Sequence, residues 1–373
     1  MKKLVSISAI ALAAVMMFGA CKKDKSKPDT YASETQSKEV LQDAAVNYVN
    51  ELATIQSGDF FTASANLYSL MASSDMFGGS YDDPYLYSMD FKSGNVLKDD
   101  ILGEEAGTYT WNKAKGDFDF VAGSGLKFLF PYSDASSGND CELVVSYANS
   151  DQLLPVNNVN STMKVKGKNV FKLTGSVKYD KDGKPELTTT SIEIEDLKFE
   201  LTAESTNSKA SFKSSWKKGN KILSATEISM TGKFSEAEIE EMMSAVSGMD
   251  EEEMIFELLK KGMLDKASFS YQIMNVKSSV DVDVAAIAKQ VNSASSEKDI
   301  VAALNKNVNT KVVNTNNNTI LAKIIFDVNE GLLLSFGDDK SAVSVDAYVE
   351  SGFGDLEKTI SDLIEGLADQ LAI

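Results

Sequence analysis

Apolar residues recur along this chain at two spacings, and the changes of spacing mark out its elements. From about 160 to 234 the period is two. Phe171, Leu173, Gly175, Val177 and Tyr179 alternate with Lys172, Thr174, Ser176 and Lys178. Leu197, Phe199, Leu201 and Ala203 alternate with Lys198, Glu200 and Thr202, and the same rhythm returns over Ala210–Trp216 and Ile228–Phe234. One apolar and one polar face per run predicts antiparallel strands with one wet face. Asp180-Lys181-Asp182-Gly183 and Lys218-Gly219-Asn220 carry hairpin-turn chemistry. Ile192 and Ile194 are out of phase with Leu197 and Phe199, so a β-bulge is expected near Glu195-Asp196. Shorter strand-like runs are Thr108–Trp111, Leu126–Phe130, Phe269–Ile273, Val280–Val284, Ile324–Val328, Leu332–Phe336 and Val343–Val349. Asn314 to Asn318 and Asp338-Asp339 read as connections among the last of them.

Elsewhere the period is helical. Leu41, Ala45, Tyr48, Val49, Leu52 and Ile55 fall on one stripe of a helix over 38–55, broken by Gly58. A second helix is expected over 60–77 with Phe61, Ala65, Leu67, Tyr68 and Met71 as its apolar positions, ended by Gly78-Gly79. Ser235 and Glu238 have capping-box spacing ahead of Ile239, Met242, Met243 and Val246. Asp250 and Glu253 open a further helix, short helices follow near 284–292 and 297–307, and an amphipathic helix closes the chain over 353–371. The expected fold class is therefore α+β. It is a large antiparallel β meander, with a half-barrel as one form it can take, packed with amphipathic helices. No sustained repeat or linker forces a boundary, so one α+β domain is expected over 38–373, with a subdivision near 235 as the alternative.

The first residues carry an address. Lys2 and Lys3 precede an apolar run of fifteen residues, Leu4 to Phe18, interrupted by Ser6 and Ser8. As a helix it rises only about 22 Å, short of the ~30 Å hydrocarbon core. It reads as a cleavable signal segment rather than a span. The run ends Phe18-Gly19-Ala20-Cys21, which resembles the lipobox of bacterial lipoproteins, although Phe18 departs from the usual Leu. The charged stretch that follows, Lys22-Lys23-Asp24-Lys25-Ser26-Lys27-Pro28-Asp29, is similar to the tethers of outer-membrane lipoproteins of the Bacteroidota. The resemblance covers about 30 residues and names no function. It implies a signal peptide over 1–20, acylation of Cys21, a tether over 21–37 and anchorage to the outer membrane, on its periplasmic or cell-surface face. Lys22 is not the Asp that retains enterobacterial lipoproteins at the inner membrane.

Composition narrows the chemistry. The formal net charge is −18, and His and Arg are absent, every basic residue being Lys. That excludes a His-based triad, a His metal site and a bidentate Arg fork. The acid excess argues against nucleic acid. With Cys21 acylated, Cys141 is the one thiol left, so no intrachain disulfide is expected. In a strand-like run without His, Cys141 reads as a buried structural residue. Asp180, Asp182 and Glu186 lack the ligand spacing of a calcium loop, and zinc has neither His nor paired Cys. Neither a Gly-rich phosphate loop nor a Gly-x-Ser-x-Gly elbow occurs, and adjacent carboxylates do not by themselves make a glycosidase. No cofactor, metal or catalytic residue is expected.

Two groups remain as ligand-binding candidates. Met242, Met243 and Met254, with Met249 and Met263 nearby, concentrate flexible thioethers that suit either an irregular apolar cavity or an ordinary core. Tyr81, Tyr85 and Tyr87 surround Asp82-Asp83-Pro84 and suit a glycan, or else a packed edge. Trp216 lies on the apolar side of its strand and reads as core. The leading expectation is a non-enzymatic, membrane-anchored binding protein for a hydrophobic or lipid-like ligand held between sheet and helices. A surface interaction or glycan-binding role is the alternative, and a structural protein without a small-molecule ligand the second. Cys21→Ala is expected to move the protein from the membrane to a soluble fraction. Continued flotation of that variant with membranes would overturn the lipobox reading.

Overall fold

The computed structural model describes residues 30–53, 58–74, 106–148, 157–181, 183–235, 237–238, 262–291, 293, 296–329, 331–336 and 341–344. Among them are sixteen strands in a large, mixed, unclosed sheet and four helices, so the fold is mostly β rather than evenly α+β. The residues cluster into two compact units, Met1–Ala53 with Thr202–Gly366, and Thr54–Leu201 with Leu367–Ile373. Expected elements over 75–105, 239–261 and 345–371 lie outside the described residues.

The unit of Thr54–Leu201 holds α2 (Asp59–Ser73), β1 (Gly107–Asn112), β2 (Asp117–Ala122), β3 (Leu126–Phe130), β4 (Cys141–Ala148), β5 (Asn158–Val165), β6 (Lys168–Tyr179), β7 (Pro185–Ile194) and the start of β8 (Leu197–Ser205). Strands β3 to β7 form a meander, but β1 inserts between β2 and β3 and runs parallel to β3. Only three residues make the crossing from β2 to β3. Gly107 N–H donates to Gly125 O at 2.8 Å and Gly123 N–H donates to Ala106 O at 3.0 Å. A Cβ on Gly107 would stand 2.5 Å from the Val121 carbonyl, so only glycine fits where the connection passes.

Register puts Tyr109, Phe128, Phe130, Cys141, Met163 and Val165 on one face, and α2 covers them with Ala63, Leu67 and Leu70. The stripe expected on α2 is rotated. Of its five positions only Leu67 is buried, and Tyr68 is 63% exposed. Three contacts set the rotation. Phe60 stacks on Phe171 at 4.9 Å between ring centroids, Phe60 N–H donates to Glu195 Oε1 at 3.3 Å, and Asn66 Nδ2 donates to Pro131 O at 2.6 Å. Glu195 thus places a carboxylate at a helix N-terminus, where the dipole favours it.

The other unit holds α1 (Glu34–Ala53), β9 (Lys209–Lys218), β10 (Lys221–Gly232), β11 (Leu264–Ile273), β12 (Val276–Asp283), α3 (Val284–Val291), α4 (Glu297–Asn307), β13 (Val308–Asn314), β14 (Thr319–Asp327), β15 (Gly331–Phe336) and β16 (Ser341–Ser344). Its strands pair in sequence order, all antiparallel. Helices α3 and α4 pack on Val280, Val282, Val308 and Phe326. Helix α1 packs Val40 and Leu41 on Val312, Leu321, Ala322 and Phe336. It starts at 34 rather than 38 because Ser33 and Gln36 form a capping box. Ser33 N–H donates to Gln36 Oε1 at 3.2 Å and Gln36 N–H donates to Ser33 Oγ at 3.3 Å. At Ser235 half of the expected box is present, with Ser235 N–H donating to Glu238 Oε2 at 3.2 Å.

The bulge expected at Glu195-Asp196 is a two-residue turn instead, with Glu195 at φ 55°. Residues flanking such a turn stand opposite each other, so an odd offset keeps Ile194 and Leu197 on one face. The phase change belongs to the hairpin itself. Bulges occur elsewhere. Val170, Leu223 and Leu321 are extra residues in β6, β10 and β14, and each is only 1% exposed. Each is the third residue of its strand. Glu195 N–H donates to Val170 O and Met274 N–H to Leu223 O, both at 2.9 Å, while Leu321 O accepts from Ser37 Oγ at 2.7 Å. Leu223→Ala is expected to cost about 2–5 kcal/mol. Val121→Ala, at an exposed edge position, should stay within about 0.5 kcal/mol of wild type. Denaturant unfolding of the two variants measures both.

Candidate apolar ligand face

Cys21, Tyr81, Tyr85, Tyr87, Met242, Met243 and Met254 all lie outside the described residues. Met263, at the edge of the Met-rich stretch, is buried. What the described residues do bring together is an apolar face on β9, β10 and β11. Antiparallel partners share a face. Phe212, Ile228 and Phe269 are in register, as are Ala210, Met230 and Ala267. In the next rows Ser214, Thr226 and Tyr271 align, then Trp216, Ser224 and Ile273. Trp216 is 39% exposed and Tyr271 37%. The reading of Trp216 as core is therefore corrected. The alternation does put it on the apolar face, but the buried cores beneath the described helices lie on β1 to β6 and β11 to β15, so facing inward does not bury it.

One side of this face is bounded by α1. Glu51 accepts from Lys221 Nζ at 2.8 Å and from Lys218 Nζ at 3.1 Å, pinning the helix end to the β9–β10 hairpin. The bonds from Lys221 and Lys218 hold the Glu51 carboxyl below its ordinary range. Burial, and secondarily the Tyr48 phenol on α1, push the Tyr271 phenol up. The opposite side of these strands carries charge, including the Lys213–Glu227 pair at 2.6 Å. In the other unit the polar side carries a ladder in which Glu142 bonds Lys127 at 2.5 Å and Lys164 at 3.2 Å.

Other candidate chemistry resolves into structure. Cys141 is buried between Phe130 and Val165, and burial first, then Asp140, pushes its thiol up to about 12. A thiol held that high is no nucleophile at neutral pH. At the Asp180 turn, Asp180 Oδ1 accepts from Lys184 N–H at 2.9 Å, and Glu186 is paired with Lys178 at 2.5 Å. Among the described residues no three acidic or Cys side chains are grouped to hold a metal ion. Nor is any described helix long and apolar enough to cross a membrane.

Comparison with known proteins gives no match: no family model, no curated protein and no solved structure aligns significantly with the chain.

The polar side is not uniformly wet. Ser270 and Ser279, paired between β11 and β12, are buried, as are Leu333 and Ser335 on β15. Asp281 stands on the same side between Ser268 and Asn309, and burial raises its carboxyl. A raised folded-state value disfavours the ionised form in the fold. No penalty exists below the unfolded carboxylate range, and stability is lost as pH rises through the folded value. Asp281→Asn is therefore expected to raise Tm at pH 7 and to leave it unchanged at pH 3. Thermal scans of both proteins at the two pH values check this, and an equal gain at pH 3 would contradict the assignment to ionisation.

Proposed function

We propose that the protein is a non-enzymatic lipoprotein, held at the outer membrane through acylated Cys21, that binds a hydrophobic or lipid-like ligand on the apolar face of β9 to β11. The observation that carries this reading is the exposure of Trp216 and Tyr271 on a face whose other apolar members are only half-buried. This reading differs from the sequence expectation, which put the ligand between sheet and helices. Beneath α1, α3 and α4 the sheet is occupied by buried side chains of the protein itself, so the space between sheet and helices there is already filled. An anchored protein works beside a reservoir of lipid, which suits an apolar face of modest size.

A glycan is the second reading, favoured by the hydroxyls in register with the aromatics. Ser214, Thr226 and Ser278 share the row of Tyr271, and Ser224 stands beside Trp216. Strands β9 and β11 are two spacings apart, roughly 10 Å, a separation over which aromatic rings can support neighbouring sugars. Native mass spectrometry of residues 22–373 made in bacterial cytoplasm, followed by extraction, separates the readings. The expected result is a co-purifying lipid that is lost from the Trp216→Ala/Tyr271→Ala variant while its Tm is retained. A lipid-free mass together with glycan-array binding that needs Trp216 would transfer the site to sugars. Loss of neither ligand type in the variant would remove this face from the function.

A further inference from the structure

The point at which the fold takes hold of the chain fixes how an anchored molecule meets the membrane. Residues 22–29, eight in all, separate Cys21 from Thr30. Thr30 is already fixed. Ile320 N–H donates to Thr30 O at 2.8 Å and Ala32 N–H donates to Ile320 O at 2.9 Å, so Tyr31 bridges Ile320 at the start of β14. Lys323 Nζ lies 4.9 Å from the centroid of the Tyr31 ring. Fully extended, the nine steps from Cys21 reach about 32 Å.

Strand β14 is nine residues long, about 30 Å. Its two ends therefore differ in height by nearly the whole reach of the tether. The end near Thr30 carries the turns Gly219-Asn220 and Met274-Asn275 and the loop 314–318. Asn275 Nδ2 donates to Asn314 Oδ1 at 3.3 Å and Met274 N–H bonds Leu223 O, which gathers them at one edge. None of these turn residues is acidic, although the chain has 55 acids against 37 Lys. Lys218, Lys221 and Lys277 flank them, with Glu51 paired to the first two, and the tether adds Lys22, Lys23, Lys25 and Lys27 against Asp24 and Asp29. The far end of β14 closes on Asp327.

We propose that this edge, with loop 314–318 and the turns at 219–220 and 274–275, faces a phospholipid surface, and that the β14–β15 turn points away from it. The inference rests on acylation of Cys21. An inverted molecule would hold Thr30 about 30 Å above the lipid and stretch the tether to its limit. A uniformly acidic edge would also be repelled by lipid phosphates, and the turns of this edge are amide-rich and carry no carboxylate.

The test uses the full chain, acylated in a bacterial host and reconstituted in vesicles of phosphatidylethanolamine and phosphatidylglycerol with a lipid-borne energy acceptor. With Cys21 acylated and Cys141 buried, Asn317→Cys and Asn329→Cys each supply one reactive thiol for a donor dye. Energy transfer from position 317 is expected to exceed that from 329 roughly twofold, because a difference of about 30 Å separates them. Twenty Gly and Ser residues inserted after Lys25 should erase the difference. Equal or reversed transfer with the natural tether overturns the orientation, and a difference that survives the insertion overturns the tether as its cause. A wild-type chain that fails to float with the vesicles overturns the anchor reading, and the orientation with it.

Discussion

An unclosed sheet has an apolar face that the sheet cannot cover by itself, and the rest of this structure follows from where other elements reach it. A closed barrel hides such a face in its own interior, whereas an open sheet needs helices from outside. Helix α2 supplies that cover over β1 to β6, and α1, α3 and α4 supply it over β11 to β15. Most of the buried apolar side chains gather beneath those helices. Each such side chain is worth about 1.5–3 kcal/mol, against at most about 1 kcal/mol for an exposed ion pair. The Lys–Glu ladders of the polar faces therefore keep the sheet soluble and in register more than they hold it together. Strands β7 to β10 keep both faces half-buried apart from a few positions.

The bulges show a second way in which the sheet takes side chains out of water. An extra residue in a ladder normally leaves a backbone group unpaired and bends the strand. Here the extra residue is aliphatic in β6, β10 and β14, and it goes inward to 1% exposure each time. Its carbonyl is satisfied by the next turn in two cases and by Ser37 of α1 in the third. The same device recurs at Val170, Leu223 and Leu321 although the surrounding letters differ. A repeat written in backbone hydrogen bonds and one buried position need not be visible as a repeat of sequence.

Much of the strand content was legible, because alternation constrains every residue of a hairpin at once. Leu126–Phe130, the 284–291 and 297–307 helices, the Gly219-Asn220 turn and the 314–318 loop all stand where the pattern put them. What failed depends on information that a local pattern does not contain. The parallel insertion of β1 beside β3 follows from a three-residue crossing at Gly107, and no periodicity reports strand order. The rotation of α2 comes from Phe60 meeting Phe171 and Glu195, more than a hundred residues away. The start of α1 was readable, since Ser33 and Gln36 have capping-box spacing, but the signal lies before the apolar stripe begins. For the site, alternation gave the face of Trp216 correctly and its burial wrongly. Side-chain direction is local, whereas burial depends on what packs against the face.

The size of the exposed aromatic surface limits what the proposed ligand face can do. Trp216 and Tyr271 are each a little over a third exposed. Aromatic side chains bury about 150–250 Å², so the two leave very roughly 150 Å² uncovered. At about 25 cal/mol per Å² that is about 4 kcal/mol, which corresponds to about millimolar affinity before any cost of association. A tighter complex must also draw on the half-buried Phe212, Ile228, Met230 and Phe269 of the same face. An acyl chain can do so, because each methylene laid on apolar surface adds about 0.8 kcal/mol. A sugar gains less from those neighbours, since its hydroxyls would need partners where the face offers thioether and hydrocarbon. The chemistry beyond the two aromatics thus favours a lipid-like occupant over a glycan at the proposed face.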